Sequence, residues 1–93
     1  MTPELLDEAA IAAGLADLDW QRDGNHLVKR TKRAGFPAAI EYVNRVAELA
    51  EALDHHPDIA ISWDTVTFAL WTHVSGGITE RDLELARRID ALG

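Results

Sequence analysis

The sequence contains no cysteine. Disulfides, thiolate nucleophiles and cysteine-based zinc sites are therefore excluded, although the compartment is not fixed by this alone. Positive charge is also scarce. Nine Lys and Arg stand against sixteen Asp and Glu, a formal net charge of −7. Non-specific nucleic-acid binding needs a basic face, so a direct nucleic-acid partner is not expected. The one basic run, Lys29, Arg30, Lys32 and Arg33, reads as the solvated face of a strand rather than as a phosphate patch. No apolar run approaches the roughly 20 residues of a membrane-spanning helix. No basic-then-apolar leader is visible, and the default expectation is a cytoplasmic protein without membrane contact.

What is present points to a packed core. Of the 93 residues, 47% are hydrophobic, which suits one small domain over residues 1–93. A chain of this size buries only somewhat over ~60% of its unfolded surface, so it gains from an oligomer.

The apolar pattern divides the chain into seven elements. Leu5, Leu6, Ala9, Ala10 and Ala13 recur at helical spacing. Thr2-Pro3 or Asp7 starts this helix, and Gly14 weakens it before an end near Asp17. Asp23-Gly24-Asn25 is turn chemistry between strand arms at roughly 18–22 and 26–33. His26 opens the second arm and reads as a solvated strand residue. Gly35 and Pro37 open the longest helix. Its stripe is Phe36, Ala39, Ile40, Val43, Val46, Ala47, Ala50 and Leu53. Pro57 holds His56 out of the α region, so that helix ends between Asp54 and His56.

Beyond it, Ile59, Ile61 and Trp63 alternate on odd positions, then Val66, Phe68 and Leu70 on even ones. The change of parity predicts a hairpin near Asp64-Thr65, since a continuous strand would flip its buried face. Thr79 caps the last helix, with Asp82 completing a capping box and Ile78 and Leu83 a hydrophobic staple. Leu83, Ala86, Ile89 and Leu92 form its stripe. The expected fold is α+β, in the order α-β-β-α-β-β-α, with a four-stranded antiparallel sheet and three helices on one face.

Three of the four histidines, His55, His56 and His73, fall at element ends in the second half of the chain. Element ends are rigidly placed yet open to solvent. Glu51 and His55 are four apart on one helix face, where a carboxylate can orient an imidazole. Each feature also has a structural explanation, because histidine suits a helix C-terminus and Asp82 suits a cap. A metal site fits poorly. His55 and His56 are adjacent, and no HExxH-type spacing occurs. Without thiol or metal, proton transfer is the natural work of such a set, for example an elimination of water.

Glu51, three intervening residues, His55-His56-Pro57, the aromatic Trp63, then His73 and Asp82 form a pattern that resembles the pterin-4a-carbinolamine dehydratase family. The segment "THVSGGITERDLELARRID" is also similar to the family's last loop and helix, and the resemblance covers nearly the whole chain. It implies dehydration of a 4a-hydroxytetrahydropterin to the quinonoid dihydropterin, with no metal or organic cofactor. By the same resemblance, His55 and His73 are the acid–base pair, His56 helps hold the 4a-hydroxyl or ring, and Glu51 and Asp82 orient and tune the imidazoles. Asp54 to His56 and Trp71, Thr72, His73 and Val74 would contact the pterin. The sequence departs from the family where Trp63 replaces a more usual Tyr, where Trp71 is bulkier than usual, and where Val74 replaces a polar residue. The resemblance further implies a homodimer or homotetramer. Its alternative is a non-catalytic member of the same fold, a dimerisation partner or a protein assembly factor.

Overall fold

The computed structural model describes residues 2–93. The elements are α1 (Glu8–Leu15), β1 (Gln21–Asp23), β2 (His26–Lys32), α2 (Phe36–Leu53), β3 (Asp58–Ser62), β4 (Thr65–Leu70) and α3 (Glu80–Leu92). A short 3-10 turn, His73–Ser75, lies between β4 and α3. The strands form one antiparallel sheet in the order β1-β2-β4-β3. The helix–strand order is the expected one.

Pairing and alternation together decide which side chains meet the helices. Leu27 pairs with Leu70 across β2 and β4. Leu27, Val66, Phe68 and Leu70 are fully buried, and they share one face because side chains alternate along a strand. That face packs on Ala39, Tyr42, Val46, Leu83, Leu85, Ala86 and Ile89 from α2 and α3. The parity change after Trp63 is resolved by a two-residue turn, Trp63-Asp64, since Ser62 pairs with Thr65. Trp63 there takes φ 54 and leaves 70% of its surface exposed. A bulky side chain rarely adopts positive φ. The turn is held because the Asp64 carbonyl accepts from Arg33 N at 2.7 Å.

Three details differ from the periodicity. In the first hairpin Asp23 pairs with His26, so the turn is Gly24-Asn25 and β1 starts at Gln21. Trp20 lies before that strand as a buried residue whose indole N–H donates to Asp90. In α2 the buried stripe is Ala39, Tyr42, Val46 and Ala50, whereas Phe36 and Ala47 are exposed. Tyr42 wins its place because its ring packs on Phe68 and carries the Arg33 guanidinium 4.0 Å from its centroid. In α1 the cap is Asp7, whose side chain accepts from Ala10 N, and not Thr2. Gly14 is a contact and not merely a weak point: a Cβ there would lie 2.4 Å from Leu83 Cδ1. The missing side chain lets α1 settle on α3.

A polar clamp ties the same layer together. Asp90 of α3 accepts from Lys29 Nζ at 2.6 Å, from the Asp19 N–H at 2.9 Å and from the Trp20 indole at 2.9 Å. Burial opposes its charge, but these three donors more than offset that and hold its carboxyl below the usual range.

Candidate active site

Asp54 sets the geometry of the paired histidines. It ends α2 in the left-handed conformation, φ 50 and ψ 44, one that Asp tolerates better than most residues. Its N–H and that of His55 both return to carbonyls of the last turn, His55 N to Ala50 O at 3.0 Å. This Schellman-like ending turns the chain sharply. His55 is thereby directed inward and is buried, while His56 stays exposed. The carboxylate partners follow from this turn. Glu51 Oε2 lies 2.5 Å from His56 Nε2. Helical spacing favours Glu51 with His55, but the left-handed residue swings His55 away and brings His56 back over the helix.

His55 instead meets Asp82, with Nε2 2.6 Å from Oδ1. A carboxylate only accepts, so the hydrogen of this bond sits on Nε2. Asp82 is fully buried. Its second oxygen, Oδ2, accepts from Thr79 N at 2.8 Å and from Thr72 Oγ1 at 2.9 Å. Thr72 Oγ1 also lies 2.8 Å from Thr79 Oγ1. The capping box of α3 is thus present, and the same carboxylate serves the histidine. One carboxylate thus makes both the cap contact and the histidine contact.

His73 begins the 3-10 turn after β4. Thr72 and Gly77 form an isolated bridge, and the loop between them closes with Gly76 in the left-handed region at φ 75. The His73 residue is exposed, and its ring lies against Trp71 with centroids 4.1 Å apart. Asp54, His55, His56, Trp71, Thr72, His73 and Val74 all line one open cavity of about 220 Å³. Glu51 and Asp82 stand behind it, each holding a histidine. Thr72 presents its position but not its hydroxyl, which is committed to Asp82.

One residue joins the cavity lining without a sequence signal, and another packs behind it on Trp71. Arg81, in the first turn of α3, lines the cavity with the histidines and also a neighbouring one of about 200 Å³ that includes Leu53 and Glu84. An arginine next to a capping aspartate looks like an ordinary surface residue in sequence. His26 is half-buried rather than solvated, with its ring edge-on to Trp71 at 4.9 Å. Only the strand pairing brings the two together. Among the described residues no three His, Asp or Glu side chains converge as a metal site, and no helix is long and apolar enough to cross a membrane.

Known proteins resemble this chain along its length. The sequence profile of the family described as pterin 4 alpha carbinolamine dehydratase matches residues 4–92. A protein of Nocardia farcinica named for pterin-4-alpha-carbinolamine dehydratase is 55% identical over 93 residues, covering 99% of this chain and 98% of its own. One of Mycobacterium tuberculosis with the same name is 52% identical over 89 residues, 95% of each chain. The crystal structure of a transcriptional coactivator/pterin dehydratase from Brucella melitensis superimposes with a TM-score of 0.89 at 31% identity, over 94% of this chain and 96% of that one. The fold alone is shared with a pterin dehydratase-like protein described as a RuBisCO assembly factor of the alpha-carboxysome, with a TM-score of 0.64 and 24% identity over 85% and 92% of the two chains. With the profile matched almost end to end and relatives above half identity, this chain belongs to the pterin-4-alpha-carbinolamine dehydratase family.

Proposed function

We propose that the chain eliminates water from a 4a-hydroxytetrahydropterin, giving the quinonoid dihydropterin, by histidine acid–base catalysis. The observation that carries this is the buried Asp82–His55 pair opening onto the cavity that His56 and His73 also line. In the reaction the N5–H bond and the C4a–O bond break. The N5 electron pair forms the N5=C4a double bond, and the hydroxyl leaves with an added proton as water. One group must take the N5 proton and another must supply the proton to oxygen.

His55 suits the first role. Asp82 fixes its tautomer and stabilises the positive charge that appears when the ring gains a proton, the relation a buried carboxylate has to histidine in hydrolytic triads. His73 suits the second role, because it is exposed at the cavity mouth and can exchange protons with water. His56, steadied by Glu51, hydrogen-bonds the departing hydroxyl or the ring. Thr72 and Asp54 act through the positions they give to these rings, and Trp71, Val74 and Arg81 bound the pterin. A cytoplasmic setting fits a recycling role of this kind.

The test is stopped-flow measurement of quinonoid formation from 4a-hydroxytetrahydropterin with EDTA present throughout. Turnover well above the uncatalysed dehydration is expected. A rate no faster than background would overturn the reading and favour a non-catalytic binding or assembly role, a role for which the Brucella relative's description as a coactivator gives precedent.

A further inference from the structure

His26 is the one histidine that the reaction leaves unused. Because Leu27 pairs with Leu70, one step outward along the ladder brings His26 opposite Trp71. Their rings meet edge to face, with 4.9 Å between centroids and 77° between planes. Trp71 also lies against His73, at 4.1 Å and 33°. Three rings from the start of β2, the end of β4 and the following turn are therefore in one line of contact.

Two observations give this line a task. The hydrogen-bonded imidazoles are those of His55 and His56. The ring of His73 has no such partner among the described residues, and its residue is exposed. An exposed side chain without a partner hops between rotamers on the picosecond to nanosecond scale, so what aims His73 is the indole beside it. The indole, in turn, has its Nε1 buried with no hydrogen-bond partner. Its orientation is therefore set by neighbouring rings, and an unpaired buried N–H is tolerated at a cost.

We propose that His26 and Trp71 are positioning residues for His73: His26 braces the indole, and the indole aims the imidazole into the cavity. This rests on the dehydratase reading of the site. The edge-to-face pair is the part that specifies orientation, since aromatic pairs favour a few geometries over free rotation. An aromatic ring at position 26 should therefore suffice, whether or not it titrates.

The experiment compares wild type with His26→Ala and His26→Phe at this half-buried position, with thermal melts confirming that each variant is folded. One readout is kinetic. His26→Ala should lower kcat by about three- to tenfold, the range expected from losing one aromatic pair, with KM within twofold, and His26→Phe should restore it. The second readout needs no turnover. The carbon-bound ring protons of His73, assigned with a His73→Ala spectrum, should resonate upfield in wild type because of the indole ring current. That shift should shrink in His26→Ala and return in His26→Phe. Unchanged His73 resonances in His26→Ala would overturn the bracing role even in an active enzyme. Intact ring-current behaviour in a chain with no dehydratase activity would instead place the failure in the dehydratase reading.

Discussion

His55 and Asp82 are 27 positions apart in sequence and 2.6 Å apart in space. The contact joins the residue just past one helix to the first turn of another. Asp82→Asn tests what it does. Asn keeps an oxygen for Thr79 N and Thr72 but turns an N–H toward His55, forcing the other tautomer. Turnover should fall on the order of 10²-fold or more, while stability falls by only about 1 kcal/mol. Thermal melts run beside the stopped-flow assay check both. Loss of stability with full activity would leave Asp82 as a cap alone.

Glu51 and His56 form an exposed pair, with 77% and 57% of their side chains open. Such pairs add little to folding, about 0–1 kcal/mol. Glu51→Gln should therefore leave the melting temperature nearly unchanged yet reduce turnover several-fold. His55→Ala and His73→Ala should each cost about 10²-fold. Small losses at both His55 and His73 would point to structural histidines.

The Asp90 clamp predicts a pH dependence. Its carboxyl titrates below the usual range in the folded chain, so the folded state binds this proton less readily than the unfolded state does. The stabilisation is fully present above the ordinary carboxylate pKa of about 3.9. It is lost as pH falls through the lower, folded value. Asp90→Asn should thus destabilise at neutral pH by about 1–3 kcal/mol, the range for hydrogen bonds to a charged group, with the gap to wild type narrowing only below about pH 4. Urea titrations at several pH values read this directly. A gap that closes nearer pH 6 would assign the effect to another group.

Gly14→Ala would ordinarily stabilise a helix by up to about 1 kcal/mol. Here the new methyl meets the buried Leu83 side chain at 2.4 Å. Leu83 has little room to turn, so overpacking should win and destabilise by about 1–3 kcal/mol. Adding Leu83→Ala should make the Gly14 substitution nearly neutral or favourable in a double-mutant cycle. Additive losses would show that α1 rests on something else.

Assembly is expected through β3. It is an edge strand, and Ile59 and Ile61, on the face that carries the core, are still 38% and 37% exposed. Edges of this kind invite pairing. Light scattering at micromolar concentration should give a dimer or tetramer, and Ile61→Lys should shift it toward the 10.3 kDa chain. A monomer at every concentration would rule out the assembly and leave the site untouched, since its residues lie within one chain.

Most of the fold was legible because local signals agreed with one another. Parity located the second hairpin, though its turn is Trp63-Asp64 and so one residue before the expected Asp64-Thr65, and Thr79 with Asp82 located the start of α3. The misses share a cause. Tyr42 replaced Phe36 in the core because Phe68 and Arg33 hold its ring, and both lie outside α2, where helical periodicity does not register them. The site shows the same division. The motif named His55, His56, His73 and Asp82 as candidates, but not which carboxylate meets which ring. Glu51 reaches His56 because one left-handed residue, Asp54, intervenes, and helical spacing has no way to register it. His26 and Arg81 carry no motif at all.

The shared carboxylate of Asp82 has a thermodynamic corollary. The opening turn of α3 cannot fray without releasing His55, so local unfolding and loss of the site are one event. By linkage, a ligand that needs His55 in place must hold that turn closed, by an amount that grows as RT ln(1 + [L]/Kd). The amide of Thr79, which is not among the residues lining the cavity, should therefore exchange with deuterium more slowly as the cavity fills, and become a reporter of occupancy written into the backbone.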